Sequence, residues 1–239
     1  MTAVRRVDEA GIARVTIEVP RRRNALSRTV LEGIRGHVLA ANADGARGVV
    51  LTGSEGVFSA GADFAELSGD VGDLDYDAAV EAVADTIRAC SIPVVAAVEG
   101  PCMGAAVDLA LSCDAITTGR GSFFEVPAVR MGILYNPKAI ARMHARVPRP
   151  MLARMLIFGE RISIEEAAAS GGLAAVVSQG AAREQIHGRG HASKDAIAAT
   201  KSLLNDLDDG AADLSHYGDV RRTLLDSDER AHILQRKKR

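Results

Sequence analysis

Apolar and polar residues alternate over residues 4–19, broken at Glu9-Ala10-Gly11, and this spacing predicts two strands joined by a tight turn. The period then lengthens. Ser27 supplies an N-cap, and Val30, Leu31, Ile34, Val38 and Leu39 recur at helical spacing, predicting a helix that runs to about Asn42. Residues 48–52 form a short continuous apolar run, the pattern of a strand buried on both faces. A glycine-rich loop over 53–61 and an acidic stretch lead to a predicted helix over 77–89. Residues 93–98 read as a second buried strand. It ends at Gly100, and Gly104 leads into a helix over 105–111. Residues 113–118 read as a third strand. Helices alternating with buried strands imply right-handed crossovers and a mostly parallel sheet. Beyond Pro137 the pattern is helical except for a strand-like piece at 173–177. The organisation expected is an α/β core over 1–190 and a helical C-terminal part over 191–239, too small to stand alone.

Composition narrows the function classes. Across 239 residues, 29 Lys+Arg face 31 Asp+Glu, a formal charge of −2 that lacks the basic excess of a nucleic-acid-binding protein. Hydrophobic content of 47% and charged content of 25% are those of a globular chain. With no Trp, 3 Tyr and 5 Phe, the core must be built from Ala, Val, Leu and Gly. No apolar run reaches the roughly 18 residues of a membrane span, and the first residues lack a signal-peptide core. Cys90, Cys102 and Cys113 form no CxxC and lie in apolar surroundings, so buried, reduced thiols and a cytoplasmic location are expected. The six histidines include no HExxH and no pair at ligand spacing, so no metal is expected. Arg236, Lys237, Lys238 and Arg239 read as a solvated tail, and the acids Asp63, Glu66, Asp70, Asp73, Asp75, Asp77, Glu81 and Asp85 as a solvated loop and helix face.

Two strand-to-helix junctions carry candidate chemistry: Phe58-Ser59-Ala60-Gly61-Ala62-Asp63-Phe64, and Gly100-Pro101-Cys102-Met103-Gly104-Ala105-Ala106-Val107-Asp108. Small side chains let a ligand approach the backbone, and a helix N-terminus leaves amide N–H groups pointing outward. Two such donors aimed at one point form an oxyanion hole. A hydrolase reading of Ser59 lacks a GxSxG elbow and a histidine placed by motif to serve it.

Together with Arg22-Arg23-Asn24-Ala25-Leu26-Ser27, Val49-Val50-Leu51-Thr52-Gly53, Ile92-Pro93-Val94-Val95-Ala96-Ala97-Val98-Glu99-Gly100 and Leu109-Ala110-Leu111-Ser112-Cys113-Asp114, these junctions resemble the crotonase (enoyl-CoA hydratase/isomerase) superfamily over nearly the whole chain. The resemblance implies a spiral of ββα units, a homotrimer or dimer of trimers, and an acyl-CoA thioester whose CoA is part of the substrate, with no separate cofactor. It places the thioester carbonyl at the N–H groups of Ala62 and Ala105. Arg23, Ala25, Leu26, Ala60, Asp63 and Phe64 match the positions that line the CoA, and Arg21 and Arg22 are candidates for a CoA phosphate.

The family's hydratases use two glutamates. Asp108 matches the first, three residues beyond Ala105 on one helix face. Ala128 matches the second, after Phe124-Glu125-Val126-Pro127. Adding water across a double bond needs one group to activate the water and one to protonate carbon, and a lone, shorter acid serves poorly. Glu125 lies at an odd offset that points it to the opposite face of an extended chain. Asn136, where some relatives carry another acid, is no base. Asp108 also has a bland account, since an acid in a helix's first turn gains about 0.3–1 kcal/mol from the dipole. Two functions follow: a thioester enzyme with poor hydratase ability, Asp108 moving the proton, or a non-catalytic acyl-CoA binder. The turn at Leu134-Tyr135-Asn136, often glycine-rich in the family, implies an altered acyl end.

Overall fold

The strands and helices follow from where each run of apolar residues finds cover. The computed structural model describes residues 3–170, 175–176, 181–187 and 192–237. Strands β1 (Val4–Glu9) and β2 (Ile12–Ile17) form the expected hairpin, paired from Val4↔Ile17 to Glu9↔Ile12. Its two-residue turn places Ala10 at φ 52° and Gly11 at φ 78°, both left-handed, which matches the twist of the flanking strands. Helix α1 (Arg28–Ala43) starts where Ser27 Oγ accepts from the Val30 amide at 3.2 Å; it buries Val30, Leu31, Ile34 and Val38 but leaves Leu39 exposed. Then come β3 (Gly48–Gly53), α2 (Leu74–Ala89), β4 (Val94–Val98), β5 (Pro101–Met103), α3 (Ala105–Ser112), β6 (Ala115–Thr118) and β7 (Phe123–Glu125). The C-terminal half contains α4 (Pro137–Arg146), α5 (Arg149–Leu156), β8 (Ile162–Ser163), α6 (Ile164–Ala169), β9 (Ala175–Val176), α7 (Ala181–His187), α8 (Lys194–Asp208), α9 (Tyr217–Leu225) and α10 (Asp228–Lys237).

The larger sheet runs β1-β2-β3-β4-β6-β9 and is parallel from β2 onward. The smaller runs β5-β7-β8, with β5 parallel to β7 and β8 antiparallel. Successive strands therefore divide between the sheets, β4 and β6 joining the larger and β5 and β7 the smaller, before the chain turns into a helix. This is the α/β spiral of ββα units. The three strands of the smaller sheet replace what the apolar pattern reads as loop or helix. Helix α2 begins three residues earlier than expected, its entry built by turns in which Asp63 caps Ala65 and Asp70 caps Gly72. Of the strand-like piece at 173–177, Ala175–Val176 pairs with β6, and the rest lies outside the described residues. In the basic tail Arg236 belongs to α10, and residues 238–239 lie outside the described residues.

The C-terminal part is tied to the core by a buried cation. Lys201 of α8 donates from Nζ to the carbonyl of Ile87 at 2.8 Å, that of Ile92 at 3.3 Å and Asp114 Oδ2 at 2.9 Å. Arg88 adds bonds to the Asn205 carbonyl and Asp209 Oδ1. Helix α8 thus packs on the same core as α2, while the boundary expected at 190 lies outside the described residues. No helix is long and apolar enough, among the described residues, to cross a membrane.

The three cysteines are buried and unpaired, as expected. Burial pushes the Cys113 thiol up to about 12 and raises Cys102 and Cys90 as well. A thiol reagent attacks the thiolate, and its fraction shrinks as the pKa rises. At pH 8 the folded protein should therefore release almost no aromatic thiolate from a disulfide reagent, and three equivalents should appear only in denaturant. Rapid labelling of the folded protein would contradict this burial.

Candidate active site

The site begins with a left-handed residue. Asn24, at φ 56° and fully buried, donates from Nδ2 to the carbonyls of Ser54 (3.0 Å) and Val57 (2.7 Å) and accepts from the Val19 amide at 3.0 Å. This locks the turn before α1 against the loop after β3. Ala60 N then donates to Arg23 O at 2.9 Å, and Leu26 N to Gly61 O at 2.8 Å. On the other side Ser59 N donates to Pro101 O at 3.1 Å and Met103 N to Ser59 O at 3.0 Å. Residues 59–62 therefore run between 23–26 and 101–104, in parallel register with both.

Gly61 makes the last of these contacts tight. At φ 88°, a Cβ there would lie 2.6 Å from the Met103 carbonyl oxygen and 3.4 Å from Gly104 Cα. Ala62 and Ala105 each stand three residues beyond the Ser59↔Cys102 bridge and directly follow the Gly61–Gly104 approach. Among the described residues, neither amide meets a backbone acceptor. Two N–H groups without a backbone acceptor on neighbouring segments, one of them at the N-terminus of α3, are donors of the kind that can serve an oxyanion.

The other expected residues divide. Arg23 is exposed and left-handed at φ 51°, Ala60 is half-buried and Phe64 is 66% exposed, so these edge the surface beside Ala62. Leu26 lies wholly inside; its amide is held by Gly61, and its carbonyl accepts from the Tyr76 hydroxyl at 2.6 Å, so it sets the loop. Ala25 is buried beside it. Asp63 departs from a solvated reading: it is buried, pairs with Arg22 and caps Ala65. Arg22 is thus engaged within the chain.

The acidic positions are equally specific. Asp108 is 1% exposed, and Arg142 of α4 grips it in fork geometry, Nε to Oδ1 at 2.9 Å and Nη2 to Oδ2 at 2.7 Å. Any proton transfer must compete for the remaining lone pairs. Ala128 is buried at the start of a short 3-10 turn. Glu125 is neutralised by Arg130 and Arg161. Asn136 caps α4, accepting from the amides of Lys138 and Ala139, and donates to Glu81 Oε1 at 2.9 Å. Asp77 is pushed up, chiefly by desolvation and then by Glu81, while Glu81 is held down by its bond from Lys138. The Tyr135 hydroxyl donates to the Gly104 carbonyl at 3.1 Å. Arg142 lies in no motif of the sequence, and Tyr135, expected at the acyl end, instead bonds to the Gly104 carbonyl. Arg142 had a signal: it shares the buried face of α4 with Ala139 and Met143, and an arginine on such a stripe calls for an acid.

The enoyl-CoA hydratase/isomerase family model matches residues 7–216. The chain belongs to this family. Among its crotonase relatives, the mitochondrial enoyl-CoA hydratase domain-containing protein 3 of Rattus norvegicus is 35% identical over 184 residues, 75% of this chain and 60% of that protein. The probable enoyl-CoA hydratase echA6 of Mycobacterium tuberculosis is 34% identical over 159 residues, 66% of this chain and 64% of that one. The chain thus spans less than two thirds of the length of these curated relatives. A crystal structure of an enoyl-CoA hydratase/carnithine racemase from Magnetospirillum magneticum superposes with a TM-score of 0.85 at 28% identity, covering 100% of this chain and 94% of that one.

Proposed function

We propose that this crotonase binds an acyl-CoA thioester and stabilises the enolate oxygen between the amides of Ala62 and Ala105, with slow addition of water. The observation that supports the reading is the close approach of Gly61 to Met103 and Gly104, with Ala62 and Ala105 the next residues along the two segments. Each oxyanion donor contributes roughly 2.7–4 kcal/mol to such a step. Arg23, Ala60 and Phe64 would flank the CoA, which enters with the substrate and needs no second cofactor. Asp108 is the one carboxylate at a hydratase proton-transfer position, and Ala128 gives the water no second partner. The Arg142 grip on both oxygens of Asp108 favours a second reading, a binder without turnover.

Calorimetry should show a short acyl-CoA binding and its free acid binding far more weakly; equal or absent binding of both refutes the thioester reading. Hydration of a 2-enoyl-CoA should be slow. Ala128→Glu, which adds the missing acid, should raise it toward the lower end of the about 10²- to 10⁴-fold that a general acid–base group contributes. Tight binding with no turnover in either protein selects the binder.

A trimer or dimer of trimers forms part of the same proposal. Ile197, Leu203, Leu204, Leu207, Leu214, Leu224 and Leu225 are all half-buried or exposed on the single chain. Light scattering at micromolar concentration should give about three or six times 25.1 kDa. A monomer would count against this assembly.

A further inference from the structure

We propose that Tyr135 is a positioning residue that aims the second oxyanion donor, because its hydroxyl holds the peptide plane carrying the Ala105 N–H. The inference rests on the thioester reading above. In a trans peptide the carbonyl of one residue and the N–H of the next point in opposite directions within one plane. Anchoring the Gly104 oxygen therefore fixes the direction of the Ala105 N–H.

This plane needs an anchor. Gly104 sits at φ 52° and ψ −125°, a region open to glycine, where no Cβ restrains rotation. The plane before it is held by the Gly104 N–H donating to Glu125 O at 2.8 Å. The plane after it is held at its oxygen, which accepts from Val107 N at 3.0 Å and from the Tyr135 hydroxyl at 3.1 Å. Val107 belongs to the same helix turn and moves with it. Among the described residues Tyr135 is the tie from outside that turn, and its neighbour Asn136 caps α4 and bonds to Glu81 of α2. Burial raises the Tyr135 hydroxyl well above its ordinary value, and the charge of Asp108 adds to this, so it stays a donor. A hydrogen bond received at the carbonyl also polarises the amide and strengthens the opposite N–H.

The test reads the polarisation of a bound thioester. Cinnamoyl-CoA, whose conjugated carbonyl absorbs at longer wavelength when polarised, should shift to the red on binding the wild-type protein. Tyr135→Phe should leave Kd within about twofold, shrink the red shift, and lower kcat about three- to tenfold at unchanged KM where turnover is measurable. Replacement of Tyr135 by 2,3-difluorotyrosine, a stronger donor of nearly the same shape, should enlarge the shift. That variant decides alone if Tyr135→Phe does not fold. A wild-type shift reproduced unchanged by the folded variants overturns this inference and leaves the thioester reading standing. Binding with no shift in the wild type overturns the oxyanion assignment and this inference with it.

Discussion

Gly61→Ala should abolish thioester binding and turnover while leaving most of the secondary structure in place. The added Cβ would meet the Met103 carbonyl oxygen at 2.6 Å and its carbon at 3.2 Å, both backbone atoms of β5 that cannot swing aside. The residue also sits at φ 88°, where a side chain costs about 1–3 kcal/mol. The chain can relieve the overlap only by parting the two junctions, and parting them separates the Ala62 and Ala105 amides. Loss of one such donor lowers kcat about 10²- to 10³-fold. Gly210→Ala is the matched control: its φ is 73°, yet nothing lies within 4 Å of the new Cβ. It should lose a similar stability to backbone strain and keep thioester affinity. Calorimetry and urea unfolding on both variants check this, and normal affinity in Gly61→Ala would refute the packing of the two loops as the source of the site.

Much of this was legible in the chain because local pattern and final environment agree. The β1–β2 hairpin, α1 and the parallel strands β3 and β4 each carry a periodicity or an apolar run that their burial then uses. The two junctions were legible for a different reason: the chain spends small residues where backbones must touch. Strands β5, β7 and β8, of two or three residues, are too short to show a period and exist only through partners distant in sequence. The same limit hid the chemistry of the acids. Asp108 and Arg142 are 34 residues apart, and nothing local pairs them. The acidic run likewise read as one solvated face, yet Asp63 is consumed by Arg22 and Glu81 by Lys138 and Asn136. Asp77 is the member of that face whose carboxyl the surroundings push up.

Arg142→Met should destabilise the protein by about 3–5 kcal/mol, because it strands the Asp108 carboxylate at 1% exposure inside a helix whose eight residues are all buried. The penalty arises from the charge left behind. Removing both partners should therefore recover most of it: Arg142→Met with Asp108→Leu replaces a buried pair by apolar side chains of similar bulk, a change that is often neutral or stabilising. Asp108→Asn alone strands the guanidinium and should also destabilise, so a fall in turnover in that variant mixes loss of a base with loss of structure. The double-mutant cycle separates them. Urea midpoints for the four proteins give the coupling energy, and an Arg142→Met variant within about 1 kcal/mol of wild type would sink the account of the pair. Turnover of the folded variants then assigns the carboxylate. If Asp108 moves the proton, the double variant should be stable and inactive. If the pair only braces α3 against α4, the double variant should match the wild type in thioester affinity and in whatever hydration the wild type shows.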